Sequence, residues 1–328
     1  LHNVHVALTI KIYSKRLVQR IWLSAHRTAF TGIPATAYQR DLRLSCTQNQ
    51  RDAEKVKDRF HGTSMPTPSR LGNQRLCDES GAVIVPSMSL AGQHALVVGG
   101  GTGMGEAIAL SLAAEGAKVA VAGRRQEKLD AVAAQAKDIL TQTADVGDRD
   151  SVKELFDWAA KTFDGRLDLL VNCAGVNVPK RSMSELSPED WDKVMNINAT
   201  GAFNCMHYGL PLMRPHKNGL VINISSTSGK RAAPLGGVSY NASKFAMAAL
   251  GTSASEDERE NGIRVTTIFP GEVDTPILDD RPVPPNSEHR AKILKAKDIG
   301  DIVVAIAKLP PLAHVPELVI KPIGQSFI

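Results

Sequence analysis

No apolar run in this 328-residue chain approaches the roughly 18 residues that a membrane-crossing helix requires, so a helical bilayer span is excluded. Cysteine is scarce. Cys46, Cys77, Cys173 and Cys205 stand far apart, with neither paired-ligand spacing nor a disulfide framework. The nine histidines are scattered without a second ligand at helical or hairpin spacing, so no metal site is expected. Positive charge is also lacking where a nucleic acid would need it. Residues 1–88 carry 13 Lys/Arg against 6 Asp/Glu, whereas the remaining 240 carry 26 against 28, so the net charge of +5 arises wholly in the first quarter. The body has no basic footprint for a phosphate backbone, and nucleic-acid binding is not expected of it. With 43% hydrophobic and 22% charged residues, global disorder is excluded and a soluble, reduced, cytoplasmic protein is expected.

The N-terminal quarter differs in kind. Residues 1–88 show no sustained strand or helix period, and no acid occurs from Leu1 to Arg40. Lys11, Lys15, Arg16, Arg20 and Arg27 punctuate apolar positions such as Leu17, Val18 and Ile21. An over-extended reading frame upstream of Met88 is the first reading. An organelle transit segment is the second, which would place the protein in an organelle matrix, and a functional basic extension is the third. Residues 1–88 are expected to be disordered, and residues 1–87 to be dispensable for fold and activity. The folded domain is expected to be residues 89–328.

From residue 90 onward, short apolar runs alternate with helical patterns. Strands are expected at Ala95–Val98, Lys118–Ala122, Asp138–Thr143, Leu167–Val171, Leu220–Ile224, Arg264–Phe269 and Pro316–Ile320. Helices are expected at Glu106–Glu115, Gln126–Ala136, Asp148–Phe163, from Ser187-Pro-Glu-Asp190, at Ser239–Glu260 and at Asp298–Leu309. Strands this apolar need both sheet faces covered, and helical crossovers between parallel strands are right-handed. The expected fold is therefore a doubly wound parallel α/β sheet, a Rossmann fold, in a single domain.

Three segments carry chemistry. Gly99-Gly-Gly101-Thr102-Gly103-Met104-Gly105 lies between the first strand and the helix it feeds, where free N–H groups and the helix dipole favour a pyrophosphate. Tyr240-Asn-Ala-Ser-Lys244 places a phenol and an ammonium four apart on a helix, where a nearby cation favours phenolate. Ile222-Asn-Ile-Ser-Ser226 ends a strand, and ligands of open α/β sheets bind just beyond such carboxyl ends.

In this order the segments resemble the short-chain dehydrogenase/reductase family, over a stretch running from about Leu90 to the C-terminus. Further landmarks fit: Asp145-Val146, Asn172-Cys-Ala174-Gly175, Asn196-Ile-Asn198 and Pro270-Gly271-Glu-Val273-Asp-Thr275. The resemblance implies hydride transfer between a nicotinamide cofactor and a carbonyl or alcohol. Tyr240 would be the acid/base. Lys244 would lower its pKa and bind the cofactor ribose, Ser226 would hold the substrate oxygen, and Asn198 would support the proton relay. The glycine segment, Asp145, Val146, Asn172, Ala174, Gly175, Pro270, Gly271, Val273 and Thr275 would line the cofactor. Cys173 is read as small buried packing. At the end of the second strand Gly123 stands where an acid would select NAD(H). Arg124 and Arg125 follow, so NADP(H) is favoured over NAD(H).

The expected substrate is a small hydroxy acid or ketone. The ending Val315-Pro-Glu-Leu-Val-Ile-Lys-Pro departs from the Gly-rich ending of 3-oxoacyl-thioester reductases, which stay as the alternative. A non-catalytic cofactor-binding regulator is the alternative of another class. Ile277–Arg290 is expected to be a short, proline-rich, mobile lid. Within it, Arg281 or Arg290 either meets a substrate carboxylate or is exposed. By the same resemblance a homodimer or homotetramer is expected, formed by helices around Asp190–Tyr208 and Ser239–Glu260, with Phe245, Met247 and Leu250 as the apolar surface.

Overall fold

Buried apolar runs set the frame. In the computed structural model, which describes residues 89–326, seven parallel strands form one sheet: β1 (His94–Val98), β2 (Lys118–Gly123), β3 (Leu140–Thr143), β4 (Leu169–Asn172), β5 (Gly219–Ile224), β6 (Ile263–Pro270) and β9 (Glu317–Ile320). All six residues of β5 are buried, as are four of the five in β1, as expected for strands covered on both faces. The spatial order is β3-β2-β1-β4-β5-β6-β9. Chain order reverses between β1 and β4, and that reversal opens a crevice at their carboxyl ends. The doubly wound Rossmann fold is therefore present. The expectations about residues 1–88 lie outside the described residues.

Helices fill both faces. α1 (Gly103–Ala114), α2 (Gln126–Ala133) and α8 (Ala296–Ala307) bury Ile108, Leu112, Leu129, Ile299 and Val303 against one face. α3 (Arg149–Thr162), α5 (Gly201–Met213) and α6 (Val238–Asp257) cover the other, with Leu155, Phe156, Cys205, Leu210 and Met213 in the core. The N-cap of α4 (Pro188–Met195) is Ser187, whose hydroxyl accepts from the Asp190 amide at 3.1 Å.

Most boundaries agree with the sequence reading to within two or three residues. α1 starts three residues earlier than expected, inside the glycine segment. β3 starts two residues later, after Asp138 turns with φ +64°. One feature had no sequence signal: a π-helical turn over Asn196–Thr200 joins α4 to α5. Two very short strands, β7 (Val273–Asp274) and β8 (Leu294–Lys295), pair outside the main sheet. The segment between them holds a 3₁₀ turn at Pro276–Asp280 and α7 (Ser287–Lys292).

Candidate active site

Two cavities open at the carboxyl ends of the central strands. One, of about 230 Å³, lies over β1, β2 and β4 and is lined by the glycine turn, Arg124, Arg125, Asp145, Val146, Ala174, Gly175 and Lys244. The other, of about 170 Å³, is lined by Ser226, Pro270, Gly271, Glu272, Val273, Arg181 and Arg281. Met104, Ser225, Tyr240, Thr275 and Ile277 belong to both walls, so the cavities meet at the Tyr240 phenol.

The glycine turn suits an anion for steric and electrostatic reasons. Gly99 has φ +83°, and a Cβ there would lie 2.4 Å from the Ala174 amide nitrogen. A Cβ on Gly105 would lie 2.1 Å from the Gly99 carbonyl oxygen, so only glycine lets α1 start this close to β1. Thr102, the N-cap of α1, makes no side-chain cap bond. The first-turn amides of α1 therefore keep their hydrogens for a ligand, with the helix dipole behind them. These features fit the pyrophosphate of a dinucleotide. At the far end Arg124, Arg125 and Lys128 gather around Gly123 on the cavity wall. Lys128 was missed by sequence reasoning. It looks like an ordinary charge on an amphipathic helix, and only the fold brings it beside the two arginines.

Tyr240 and Lys244 lie one turn apart at the start of α6, with the ammonium 5.6 Å from the centre of the phenol ring. Lys244 Nζ donates to the Ile224 carbonyl at 2.9 Å, and the Ser225 hydroxyl donates to the Lys244 carbonyl at 3.0 Å. Asn198 is fully buried in the π turn. Its amide donates to the Val176 carbonyl at 2.9 Å and to the Ser243 hydroxyl at 3.0 Å, while its carbonyl accepts from the Val176 amide at 2.8 Å. The Ser243 hydroxyl donates in turn to the Tyr240 carbonyl at 2.9 Å. These bonds fix α6, β5 and the π turn to one another.

Burial lowers the Lys244 pKa to about 8, because desolvation disfavours the ammonium. The Tyr240 phenol is pushed up, first by burial. The Ser226 hydroxyl and the charges of Arg281 and Arg181 pull it back without reversing the sign. The expectation that Lys244 lowers the phenol is not met: the cations that pull it down are Arg281 and Arg181.

Several predicted residues fall away from the walls. Asn172 is buried at the end of β4, donating to the Asn223 side chain at 2.8 Å, and lines neither cavity. Asn198 and Gly105 lie behind the walls, holding the frame, and Pro270, Gly271 and Val273 line the smaller cavity rather than the larger. Cys173, read as buried packing, is half-buried on the larger cavity's wall, with its thiol pushed up to about 12 by desolvation. Arg290 is committed to Asp274 at 3.0 Å and also pairs with Asp279. Arg281 is not an exposed lid residue: its side chain is 15% accessible and pairs with Glu272 at 2.9 Å. Among the described residues no group of three or more His, Cys, Asp or Glu is placed to hold a metal, and no helix is long and apolar enough to cross a membrane.

Comparison with known proteins agrees with this geometry. Residues 93–283 match the family model for short chain dehydrogenases. The chain is 34% identical over 236 residues to an uncharacterized oxidoreductase of Staphylococcus aureus (strain MW2), covering 71% of this chain and 99% of that protein. Among solved structures it is similar to the closed form of a serine dehydrogenase complexed with NADP+, at TM-score 0.64 and 27% identity, over 71% of this chain and 96% of that one. It is also similar to a 3-ketoacyl-(acyl-carrier-protein) reductase from Brucella melitensis complexed with NADH. That match has TM-score 0.65 and 25% identity, over 71% and 98% of the two chains.

Proposed function

The chain belongs to the short-chain dehydrogenase/reductase family and is an oxidoreductase acting on CH–OH groups, and on that premise we propose that it interconverts a small hydroxy acid or ketone with its redox partner using NADP(H) ahead of NAD(H). The observation that carries the reading is the meeting of the two cavities at Tyr240, with Ser226 on the wall that the phenol shares and Lys244 one helical turn behind. When bound, the nicotinamide supplies the two-electron chemistry at the substrate carbon. Everything else falls to the chain. Tyr240 would give its phenolic proton to the substrate oxygen in reduction and take one in oxidation. Ser226 would hold that oxygen by a hydrogen bond that strengthens as charge grows there. Lys244 would face the cofactor ribose and supply positive charge behind the ring, while Asn198 would keep the π turn and α6 in register. Against a non-catalytic regulator stands the presence of all four groups in connected positions.

Cofactor choice follows from the far end of the larger cavity. Gly123 offers no carboxylate to a free ribose 2′-hydroxyl, and Arg124, Arg125 and Lys128 would pair with a 2′-phosphate. The similar structures hold NADP+ in one case and NADH in the other. The preference is therefore argued from this chain's own charges. The cavity beyond Tyr240, of about 170 Å³, has room for a substrate of a few carbons.

We further propose that α5 and α6 pair with those of a second copy. Phe203 and Phe245 are 44% and 43% accessible on these helices, more apolar surface than solvated helices require. Met247 does not belong to that surface, since it is 1% accessible and packs in the core, and Leu250 leans on the core as well. Sedimentation at micromolar concentration should return a dimer or tetramer; a monomer would reject the pairing.

Three measurements test the catalytic reading. Tyr240→Phe keeps the ring packing and removes the acid, so turnover should fall at least about 10²-fold while cofactor binding persists. Near-parental turnover would refute the role. The Lys244 ammonium is charged below its pKa of about 8 and neutral above it. If its charge is needed, kcat/KM for the cofactor should be level below that value and fall as the pH rises past it. A profile that keeps climbing through pH 8 would contradict the assignment. Arg124→Ala should weaken NADPH binding by about tenfold or more while changing NADH little, because only the former carries the phosphate. Equal losses would remove Arg124 as the discriminator.

A further inference from the structure

The smaller cavity is markedly unbalanced in charge. Its wall carries three guanidiniums, Arg181, Arg231 and Arg281, against one carboxylate, Glu272. That carboxylate is already engaged, accepting from Arg281 at 2.9 Å and from His289 at 2.8 Å. Arg181 is the unusual member. It is 7% accessible and makes no ion pair among the described residues. Its guanidinium donates instead to three backbone carbonyls: Val178 at 2.7 Å, Leu235 at 3.1 Å and Asp280 at 2.6 Å. Carbonyl dipoles orient a guanidinium without cancelling its charge; the Asp280 carboxylate offsets part of that charge from a distance, and a buried charge without a direct counter-ion is costly. Arg281 adds to that cost, since its charge disfavours the Arg181 guanidinium, and the charges of both act on the Tyr240 phenol. Both guanidiniums line the cavity that Tyr240 also lines; Arg281 is paired with Glu272, whereas Arg181 has no carboxylate in direct contact and can take an anion from the cavity.

We propose that the cavity binds the carboxylate of its substrate between Arg181 and Arg281, so that the molecule turned over is a small hydroxy acid or oxo acid with its hydroxyl or carbonyl at Tyr240 and Ser226. The inference rests on the proposed function and deepens it by naming the group recognised at the far end. Planar guanidiniums match a carboxylate's two oxygens, and a cavity of about 170 Å³ suits a chain of a few carbons. Arg181 is held rigidly from three segments: the loop after β4, the loop before α6, and the 3₁₀ turn at Pro276–Asp280. Its preset orientation reduces the ordering cost of binding. Arg281 completes the clamp from the segment that covers the cavity.

The test pairs acids with their neutral esters. With NADP+ saturating, 2-hydroxybutanoate and 3-hydroxybutanoate are compared with their methyl esters, alongside butanoate and butanamide as ligands that cannot react. At least one acid should exceed its ester by about tenfold or more in kcat/KM, with the difference mainly in KM. Butanoate should raise the melting temperature of the cofactor-saturated protein and butanamide should not. In Arg281→Gln the acid-to-ester ratio should collapse towards one. Arg181→Lys, which keeps the charge but loses the fork, should lower the ratio less. Esters turned over as well as acids, with no stabilisation by butanoate, would overturn the clamp even if the protein proves an active dehydrogenase. Stabilisation by butanoate without turnover of any alcohol would keep the clamp and reject the proposed reaction.

Discussion

The Lys244 ammonium hydrogen-bonds the last carbonyl of β5, and most of the site's geometry depends on that contact. The bond from Nζ to Ile224 O fixes the first turn of α6 to the carboxyl end of the sheet, and the Ser225 hydroxyl returns a bond to the Lys244 carbonyl. Tyr240 is then carried to the crevice by helical spacing alone. The π turn is tied to the same helix through Asn198 and Ser243, so the loop after β4, the π turn and α6 cannot shift independently. Buried polar networks of this kind are rigid only when their members are paired, and here nearly all are.

The same burial sets the electrostatics. Desolvation lowers the lysine and raises the tyrosine, so neither is poised by the other alone. The charges that favour the phenolate come from Arg181 and Arg281, which line the smaller cavity. Each cavity thus presents guanidiniums, Arg124 and Arg125 in the larger and Arg181 and Arg281 in the smaller, with the Tyr240 phenol where they meet.

Much of this was legible in the sequence, for identifiable reasons. Strand positions followed from short apolar runs that the sheet buries on both faces. The glycine turn, Ser226, Tyr240 and Lys244 were readable because their spacing is local. What escaped depends on distant partners. Arg181 is held by carbonyls from 178 to 280, and no local pattern announces an arginine whose partners are backbone atoms. The π turn arises from packing around Asn198. Met247 was misplaced because an apolar residue on a helix does not say which face the sheet will claim, and Arg281 because a proline-rich segment reads as exposed whether or not it folds over a cavity.

The central claim is that a hydride passes between the substrate's alcohol carbon and a nicotinamide held in the larger cavity. Incubation with NADP+ and a hydroxy acid bearing deuterium on the carbinol carbon tests it most directly. The account predicts reduced cofactor with the label at nicotinamide C4, on one face only, and an equal amount of the oxo acid. Oxo acid formed without labelled cofactor, or label distributed over both faces, would contradict it.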